Sequence, residues 1–559
     1  MAAELAAGMA AVPVPAALGT ALVGLGVRHA FGLIGSGNFA VTNALVASGA
    51  RFIAARHEGG AITMADAYAR TSGRVGVCSV HQGPGLTNAI TGLAEAVKGR
   101  TPLLLLAADT AATAVRSNFR IAQDQLVTAV GAIPERLHSP ETAVADTARA
   151  YRRAQIERCP VVLMLPLDVQ AGTCAAPLDT PSPPPAVRPV RPATQAVAEA
   201  VDALARASRP LIIAGRGATL ADARALIEQF AERCGALLAT SAVANGLFAG
   251  NPWSIGISGG FASPTAAELI AEADVVLGVG VALNMWTTRH GKLLRADATI
   301  VQIDHEAGAI GAHHRADIAV LGDAAESVRA LIAEWDRRDV SASAWRTAAL
   351  AARIQAGAWQ TWPFADESDG ARIDPRTLSR ALDALLPDER TMATDSGHFM
   401  GYPAMYLRVP DAAGFVFTQA FQAVGLGLAT AIGAAIARPD RLTVAALGDG
   451  GALMSLPELE TVARLGLHML IVIYNDAAYG AEVHHFGPQG APLDLVRFPD
   501  VDFAALGRAV GLTAITIRHH DDLGAVATWL LDGRGTLLLD AKVVPTVVAE
   551  WLEEAFRGH

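Results

Sequence analysis

The chain has 559 residues, of which 52% are hydrophobic and 18% charged, with a formal net charge of −10. This length exceeds what one hydrophobic core supports and indicates about three or four domains of a large α/β protein. The acidic balance and the dispersed Lys and Arg argue against a nucleic-acid partner, and no apolar run is long enough to span a membrane.

The N-terminal stretch, residues 1–18, lacks a basic region before its apolar residues. We therefore interpret it as the lead into a first helix rather than as a signal peptide. The four cysteines, Cys78, Cys159, Cys174 and Cys234, show no spacing typical of a metal site. They indicate thiols of a reducing compartment, and we expect a cytoplasmic protein.

Strand-like and helix-like segments alternate along the chain. The first region, 1–175, contains HAFGLI, FIAAR, VGVCSV, PLLLLAA and PVVLML. A proline-rich stretch, 176–194, predicts an extended linker, because proline cannot join a strand ladder and stiffens the chain. A second region, 195–340, carries PLIIAG, ALLAT, VVLGVG and TIVQID, and a third region spans 365–550. The alternation predicts an α/β protein with three doubly wound parallel-sheet domains.

The strongest motif lies in the third region. The strand-like segment RLTVAAL runs into Gly448-Asp449-Gly450, and HMLIVIY runs into Asn475 after 24 intervening residues. Because parallel strands end at the same edge of a sheet, both motifs should meet where ligands bind. The glycines let backbone N–H groups approach a phosphate, and Asp449 and Asn475 supply oxygen ligands for Mg²⁺ or Ca²⁺. The sequence therefore predicts a site for a diphosphate and a divalent cation.

A second motif in the first region strengthens this interpretation. The segment 51–88 contains RHEGG, with Glu58 just after a strand-like stretch, and later GPGLTN. Together the two motifs resemble those of enzymes that use thiamine diphosphate (ThDP), in the group of acetolactate synthase, pyruvate decarboxylase and benzoylformate decarboxylase. The resemblance covers nearly the whole chain and implies pyrimidine-binding, central and diphosphate-binding domains. It also implies that the Glu58 carboxyl group, hydrogen-bonded to the pyrimidine ring, drives loss of the C2 proton of the cofactor.

The resemblance further implies which residues contact the cofactor and its cation. Val424, just before the Gly-x-Gly of AVGLGLA, matches the apolar residue that bends the two cofactor rings toward each other. The backbone carbonyl of Ala477 would join Asp449 and Asn475 on Mg²⁺. Asn475-Asp476 stands where the family usually has Asn-Asn. The other expected cofactor contacts are Gly448, Gly450, Gly451, Ala452, His398, Tyr479 and Gly480.

Three further residues are candidates for directing the reaction. Glu482 stands where decarboxylases of the group carry an active-site glutamate, and a buried carboxyl group there could act as an acid; a helix-surface glutamate is the alternative. His81 matches a catalytic histidine of benzoylformate decarboxylase and suits proton relay, although a structural histidine has the same sequence pattern. Gln123 resembles a glutamine that faces the cofactor in acetolactate synthase. We expect His484 and His485 at the rim of the site or in solvent.

The central region departs from acetolactate synthase. That enzyme usually has an Arg-Phe-Asp-Asp-Arg run where this chain has Asn284 to Arg289, so we expect no FAD. The turn AGRGA at 214–218 could hold a nucleotide, although such a turn alone is a weak signal. The resemblance also implies shared active sites, with Glu58 of one subunit and Asp449 of another serving one cofactor in a homodimer or homotetramer.

The sequence thus predicts a ThDP- and Mg²⁺-dependent lyase or carboligase acting on a small 2-oxo acid, with or without an aldehyde or 2-oxo acid acceptor. An acetolactate synthase-like transferase that joins two 2-oxo acids is the alternative within enzymes. A catalytically silent ThDP-binding homologue is the alternative from another class. The presence of Glu58, Asp449 and Asn475 argues against it.

Overall fold

The computed structural model describes residues 11–175 and 188–556. The predicted lead into a first helix lies outside the described residues over 1–10, and the predicted linker does so over 176–187. Among the residues that the structure describes, no helix combines the length and apolar character needed to cross a bilayer.

The first domain is built on a six-stranded parallel sheet, and a short antiparallel strand pair joins its two ends. The strands are β1 (Ala11–Pro13), β2 (His29–Gly32), β3 (Arg51–Ala54), β4 (Gly76–Val80), β5 (Leu103–Asp109), β6 (Ile133–Arg136), β7 (Pro160–Pro166) and β8 (Thr173–Ala175). The helices are α1 (Val14–Gly24), α2 (Phe39–Ala47), α3 (Glu58–Ser72), α4 (Pro84–Lys98), α5 (Gln123–Ala129), α6 (Ala143–Glu157) and α7 (Leu167–Gln170).

The central strand of this sheet shows why it is covered on both faces. Along β5, Leu103 and Leu105 pack into one hydrophobic core and Leu104 and Leu106 into another. Side chains of a strand alternate between the two faces, so a strand that is apolar at every position must be buried on both. The continuous leucine run therefore fixes a sheet with helices on each side.

The central domain contains a second parallel sheet of six strands. They are β9 (Pro210–Ala214), β10 (Leu237–Thr240), β11 (Ser254–Ile257), β12 (Val275–Val279), β13 (Thr299–Asp304) and β14 (Ile318–Leu321). The helices are α8 (Thr194–Ala205), α9 (Arg216–Leu220), α10 (Arg224–Cys234), α11 (Pro264–Glu272), α12 (Met285–Thr288), α13 (Ala324–Arg338) and α14 (Ala348–Ala356).

The third domain contains the last parallel sheet of six strands. They are β15 (Arg390–Thr394), β16 (Phe415–Phe417), β17 (Leu442–Gly448), β18 (Met469–Asn475), β19 (Thr513–Ile517) and β20 (Thr536–Lys542). The helices are α15 (Pro375–Leu385), α16 (Gly401–Tyr406), α17 (Gly427–Ala437), α18 (Asp449–Met454), α19 (Glu458–Leu465), α20 (Gly480–Phe486), α21 (Phe503–Ala509), α22 (Gly524–Asp532) and α23 (Leu552–Ala555).

The three sheets confirm the predicted fold class, and their topologies separate the outer domains from the central one. The first sheet runs β3-β2-β4-β5-β7-β6 and the third runs β16-β15-β17-β18-β20-β19. Counted within each domain, both have the order 2-1-3-4-6-5. The central sheet runs β11-β10-β9-β12-β13-β14, which is the 3-2-1-4-5-6 order of dinucleotide-binding folds. The domain limits proposed from sequence stay a prediction.

The two outer domains pack against each other through α3 and α17. Both helices are rich in Ala and Gly, and their buried residues join one hydrophobic core. At Gly433 of α17, an added Cβ atom would collide with the carbonyl oxygen of Met64 on α3. Small side chains at the contact therefore let the helix backbones approach closely, which sets the distance between the two domains.

Candidate active site

Two neighbouring strands of the third sheet end together. β17 ends at Gly448 and β18 ends at Asn475, and the strands run parallel with Gly448 opposite Tyr474. The residues that follow, Asp449 and Asp476, therefore leave the same edge of the sheet. Ligands bind at this edge in open α/β sheets.

The carboxyl groups of Asp449 and Asp476 interact in a buried space. Burial raises the pKa of Asp449 to about 6, although backbone N–H groups, including those of Ala477 and Ala478, favour its ionised form. Burial, with the negative charge of Asp449, raises the pKa of Asp476 to about 7. Neither carboxyl group has an ion-pair partner among the residues described. Two adjacent acids, of which Asp449 is buried and Asp476 half-buried, are a suitable donor set for a hard divalent ion.

The side chain of Asn475 faces away from this space, which differs from its predicted place as the metal ligand. Its Nδ2 donates to carboxyl oxygens of Asp500 (3.2 Å) and Asp540 (3.0 Å). Successive side chains of a strand point to opposite faces, so the next residue, Asp476, faces Asp449 instead. This geometry assigns the side-chain position at the predicted cation site to Asp476.

The predicted backbone ligand shifts by one residue in the same direction. The carbonyl oxygen of Ala477 accepts a hydrogen bond from the N–H of Phe498 (2.9 Å), which occupies it. Ala478 lines the cavity, and no described residue donates a hydrogen bond to its carbonyl oxygen. The spacing of two residues between side-chain and backbone donors is therefore kept, as Asp476 and Ala478.

A cavity of about 1690 Å³ opens beside these carboxyl groups and extends to the central domain. Most of the predicted cofactor contacts lie on its wall. They are Gly448, Asp449, Gly450, Gly451, Val424, His398, Tyr479 and Gly480, together with the predicted acid Glu482. Ala452 differs from the prediction, because its side chain is buried in the hydrophobic core behind α18.

Three glycines of the wall are required by close contacts. A Cβ atom on Gly450 would lie 2.7 Å from the ring of Tyr479, and one on Gly480 would lie 2.6 Å from Oδ2 of Asp476. A Cβ atom on Gly451 would collide with the carboxyl group of Asp395. Side chains at these positions would displace the aromatic and acidic groups that surround the carboxyl pair.

Histidine side chains meet beside Gly480, and one of them, His398, lies on the cavity wall. Burial lowers the pKa of His398 to about 3, so its imidazole is neutral at physiological pH. Its Nε2 accepts the backbone N–H of Ala549 (2.8 Å), which leaves the proton on Nδ1. The ring of His484 lies 4.3 Å from that of His398, between centroids, and His485 stacks on Phe556.

The predicted residues of the first domain form a separate group. Glu58 is the first residue of α3 and is buried, and its Oε2 accepts a hydrogen bond from Nδ2 of Asn88 (3.0 Å). His81 accepts the backbone N–H of Gly37 at Nδ1 (3.1 Å), and burial lowers its pKa. Neither Glu58 nor His81 belongs to the described wall of the cavity in the same chain.

Gln123 is tied to the backbone rather than directed at open space. Its Oε1 accepts the N–H of Gly83 (3.0 Å), and its Nε2 donates to the carbonyl of Ala108 (3.2 Å). Gln123 is 2% exposed and is not part of the described cavity wall. These bonds support the Gly83 turn, and they use both ends of the amide that was predicted to face a cofactor.

The glycine turn of the central domain has a packing explanation. Cβ atoms on Gly215 and Gly217 would both lie against the backbone of Gly280, and the N–H of Gly217 donates to the Gly280 carbonyl (2.9 Å). In the segment that departs from acetolactate synthase, Asn284 caps α12 by accepting the N–H of Thr287 (3.1 Å). The sequence features of both segments thus serve local structure.

Two acidic residues at the site were not identified from sequence. Asp476 replaces the second residue of the usual Asn-Asn pair, and this difference is the sequence signal that points to it. Asp395 directly follows β15, is fully buried, and accepts the backbone N–H groups of Gly425 (3.0 Å) and Leu426 (3.2 Å). It fixes the loop that carries Val424, and burial raises its pKa to about 6.

Comparisons with known proteins agree with this arrangement. Models of the thiamine pyrophosphate (ThDP) enzyme domains match the chain over its length: the N-terminal TPP binding domain at 14–130, the central domain at 197–331 and the C-terminal TPP binding domain at 395–541.

Curated relatives match along most of their own length. A probable 2-ketoarginine decarboxylase of Pseudomonas aeruginosa is 32% identical, over 92% of this chain and 90% of that protein. A sulfoacetaldehyde acetyltransferase of Castellaniella defragrans is 29% identical, over 92% and 89%. An acetolactate synthase large subunit of Parasynechococcus marenigrum is 29% identical, over 91% and 85%.

The raised pKa of Asp476 makes the stability of the cation-free protein depend on pH. Between the ordinary aspartate pKa near 4 and the raised value, the folded state binds a proton that the unfolded state lacks, so stability falls as pH rises through this window. Asp476→Asn should therefore raise the unfolding temperature at about pH 8 by several degrees, and much less at about pH 5.

Differential scanning calorimetry without divalent ions measures this difference. Asp494→Asn, which changes an exposed carboxyl group in the same region, is the control and should show no such pH dependence. A stabilisation by Asp476→Asn that is equal at both pH values would contradict the assignment.

Proposed function

The chain belongs to the thiamine pyrophosphate enzyme family, and on this premise we propose that it is a ThDP- and Mg²⁺-dependent lyase or carboligase acting on a small 2-oxo acid. The observation that carries the proposal is the pair of adjacent carboxyl groups, buried Asp449 and half-buried Asp476, on the wall of a large cavity. The relatives named as enzymes favour this reading over a catalytically silent homologue.

The residues present fit a divalent cation and a diphosphate. Asp449, Asp476 and the carbonyl oxygen of Ala478 would hold Mg²⁺, because all three supply oxygen donors from the adjacent ends of β17 and β18. The glycines at 450 and 451 leave room for a diphosphate next to that ion. When bound, ThDP supplies an acidic carbon that adds to a substrate carbonyl and accepts the electrons released by decarboxylation.

Two residues of the first domain, Glu58 and His81, would take part in proton transfer. The Glu58 carboxyl group, held by Asn88, would share a proton with a nitrogen of the pyrimidine ring. His81 accepts a backbone N–H at Nδ1, which leaves its proton on Nε2, and its lowered pKa keeps the imidazole neutral. A neutral imidazole with one free N–H can orient a carbonyl or donate a proton.

Two chains would complete each site, in a homodimer or a dimer of dimers. Apolar side chains are exposed beside both half-sites: Phe119, packed edge-on against His81, is 41% exposed, and Val424 and Met454 are 43% and 56% exposed. Exposed apolar surface of this kind marks interfaces. A second copy that covers both patches would bring Glu58 of one chain to the Asp449 cavity of the other.

The acceptor chemistry depends on the polar side chains of the cavity wall. Glu482 lies on the cavity wall, where a carboxyl group could protonate the carbon left after loss of CO₂. That placement supports release of an aldehyde, with carboligation to an aldehyde or a second 2-oxo acid as the alternative outcome. No flavin is required for either reaction.

We expect Glu58→Gln to bind ThDP with nearly parental affinity and to lose C2 deprotonation. An amide cannot exchange a proton with the pyrimidine ring as a carboxyl group does, so the rate should fall on the order of 10²–10⁴-fold. Hydrogen–deuterium exchange at C2 of the bound cofactor, followed by NMR after acid quench, measures this. Parental exchange in the variant would remove Glu58 from the mechanism.

Mixing two inactive variants should restore activity if the sites are shared. Glu58→Gln and Asp449→Ala chains each lack one half of every site. After dissociation and random reassociation, half of the dimers combine both chains and hold one intact site, so about a quarter of parental activity should return. Mixtures of two Glu58→Gln preparations are the control. Failure of the mixed dimers, shown to form by native mass spectrometry, would place Glu58 and Asp449 in one chain's site.

Glu482→Gln should slow the steps that follow decarboxylation. Loss of an acid typically lowers a rate on the order of 10²–10⁴-fold, so substrate-derived material should accumulate on the cofactor. NMR of acid-quenched samples measures the accumulated species, and Glu550→Gln, which changes an exposed carboxyl group, is the control. Full turnover with a parental distribution of species would favour the acetolactate synthase-like alternative.

A further inference from the structure

The two outer domains carry their key loops at equivalent positions. Glu58 follows β3, the second strand of the first six-stranded sheet in chain order, and Val424 follows β16, the second strand of the third sheet. The two sheets share one strand order, so topology relates these loops to each other. Each loop leads into a helix, α3 or α17, and these helices pack together across the domain boundary.

A buried carboxyl group of the third domain holds the first of these loops. Glu458, at the start of α19, is 2% exposed. Its Oε1 accepts the backbone N–H groups of Arg56 (3.0 Å) and His57 (3.1 Å), and its Oε2 accepts the hydroxyl of Thr461 (2.7 Å). Because Glu58 is the next residue, Glu458 fixes the backbone that aims the Glu58 carboxyl group.

A buried carboxyl group of the first domain holds the second loop in the same way. Glu95, on α4, is 1% exposed. Its Oε1 accepts the backbone N–H of Ala420 (3.1 Å), and its Oε2 accepts that of Phe421 (2.6 Å). These N–H groups lie three and four residues before Val424, so Glu95 restrains the approach of that side chain to the cavity.

Arginines complete both contacts by binding the strand ends. Arg464 of the third domain donates to the carbonyl oxygen of Ala54 (2.6 Å), the last residue of β3. Arg70 of the first domain donates to the carbonyl of Phe417 (3.1 Å), the last residue of β16, and also pairs with Glu95 (3.0 Å). Each domain thus supplies one acid and one base to the equivalent strand end of the other.

We propose that Glu458 and Glu95 are positioning residues, and that each holds the loop through which the opposite domain acts on the cofactor. The inference rests on the proposed function, because that function gives Glu58 and Val424 their cofactor contacts. Charge-assisted hydrogen bonds from a carboxyl group to backbone N–H groups are short and directional, which suits them to fixing a loop. A displacement of about 1 Å at such a loop can lower a catalytic rate on the order of 10²-fold.

Amide hydrogen–deuterium exchange of the cofactor-free protein tests the contacts themselves. Glu458→Ala should speed exchange of the Arg56 and His57 amides roughly tenfold and leave Ala420 and Phe421 unchanged. Glu95→Ala should give the converse pattern. Unchanged exchange at both loops in both variants overturns the inference, whatever the chain catalyses.

The matched control lies two residues along the same helix. Glu460 binds the side chain of Arg56 at the surface and makes no bond to the backbone of that loop. Glu460→Gln should therefore leave amide exchange and cofactor chemistry at parental values. If Glu460→Gln changed amide exchange and cofactor chemistry as much as Glu458→Ala does, general loosening of α19 would explain both results. The positioning role would then be overturned.

Exchange at C2 of bound ThDP separates positioning from stability. Glu458→Ala should lower this rate on the order of 10²-fold while ThDP affinity changes far less. Glu458→Gln should restore the rate, since one amide oxygen can still accept both N–H groups, whereas the shorter Glu458→Asp should not. If the alanine variant does not fold, this Gln and Asp pair carries the comparison, and equal rates in the two overturn the inference.

The outcomes distinguish this inference from the function beneath it. A parent protein that binds no ThDP overturns the proposed function and the positioning role together. A parent with normal C2 exchange, alongside Glu458→Ala and Glu458→Asp variants with the same rate, overturns the positioning role alone. Glu95→Ala should mainly weaken ThDP binding through the Val424 loop, and parental affinity in that variant counts against its part of the proposal.

Discussion

Two carboxyl groups that meet in a buried space, those of Asp449 and Asp476, set the constraint on which the rest of the active site depends. Burial disfavours their ionised forms, and each makes ionisation of the other harder. In the described part of the chain no basic side chain pairs with either. The arrangement therefore fits a cation, and the strand ends, the glycine contacts and the cavity all lie around the two carboxyl groups.

The candidate site residues are divided between two domains. The third domain provides the acids and the glycines, while Glu58 and His81 lie in the first domain, away from the cavity of the same chain. The two domains share a topology and bind each other's second strand ends through Glu458 and Glu95. The same interface that holds the fold together thereby sets the geometry of both loops that we propose to face the cofactor. The central domain, with its different strand order, contributes cavity wall and separate packing.

The sequence patterns identified most of the interior strands but, of the six edge strands described in the three parallel sheets, only β3. β5, β7, β12 and β18 are buried at every position and carry long apolar runs because helices cover both of their faces, and such runs are visible without a structure. β6 and β14 lie at sheet edges, where one side of the strand is unpaired and the side chains are mostly half-buried or exposed. The sequence of β6, IPER, carries no continuous apolar run, and it acquires strand structure by pairing with β7, which is distant in sequence.

By itself the sequence determined the three parallel-sheet domains, the Gly448-Asp449-Gly450 turn after a strand, and Glu58 just after another strand. These features depend on local pattern, since a continuous apolar run and a following turn are encoded within a few residues. Tertiary structure alone decided that Asp476 rather than Asn475 faces Asp449. Side chains alternate between the two faces of a strand, so a shift of one residue reverses which side chain faces Asp449. Here the direction of the Asn475 side chain is fixed by Asp500 and Asp540, which accept hydrogen bonds from its amide group. Both acids lie in segments that the sequence alone does not place beside Asn475.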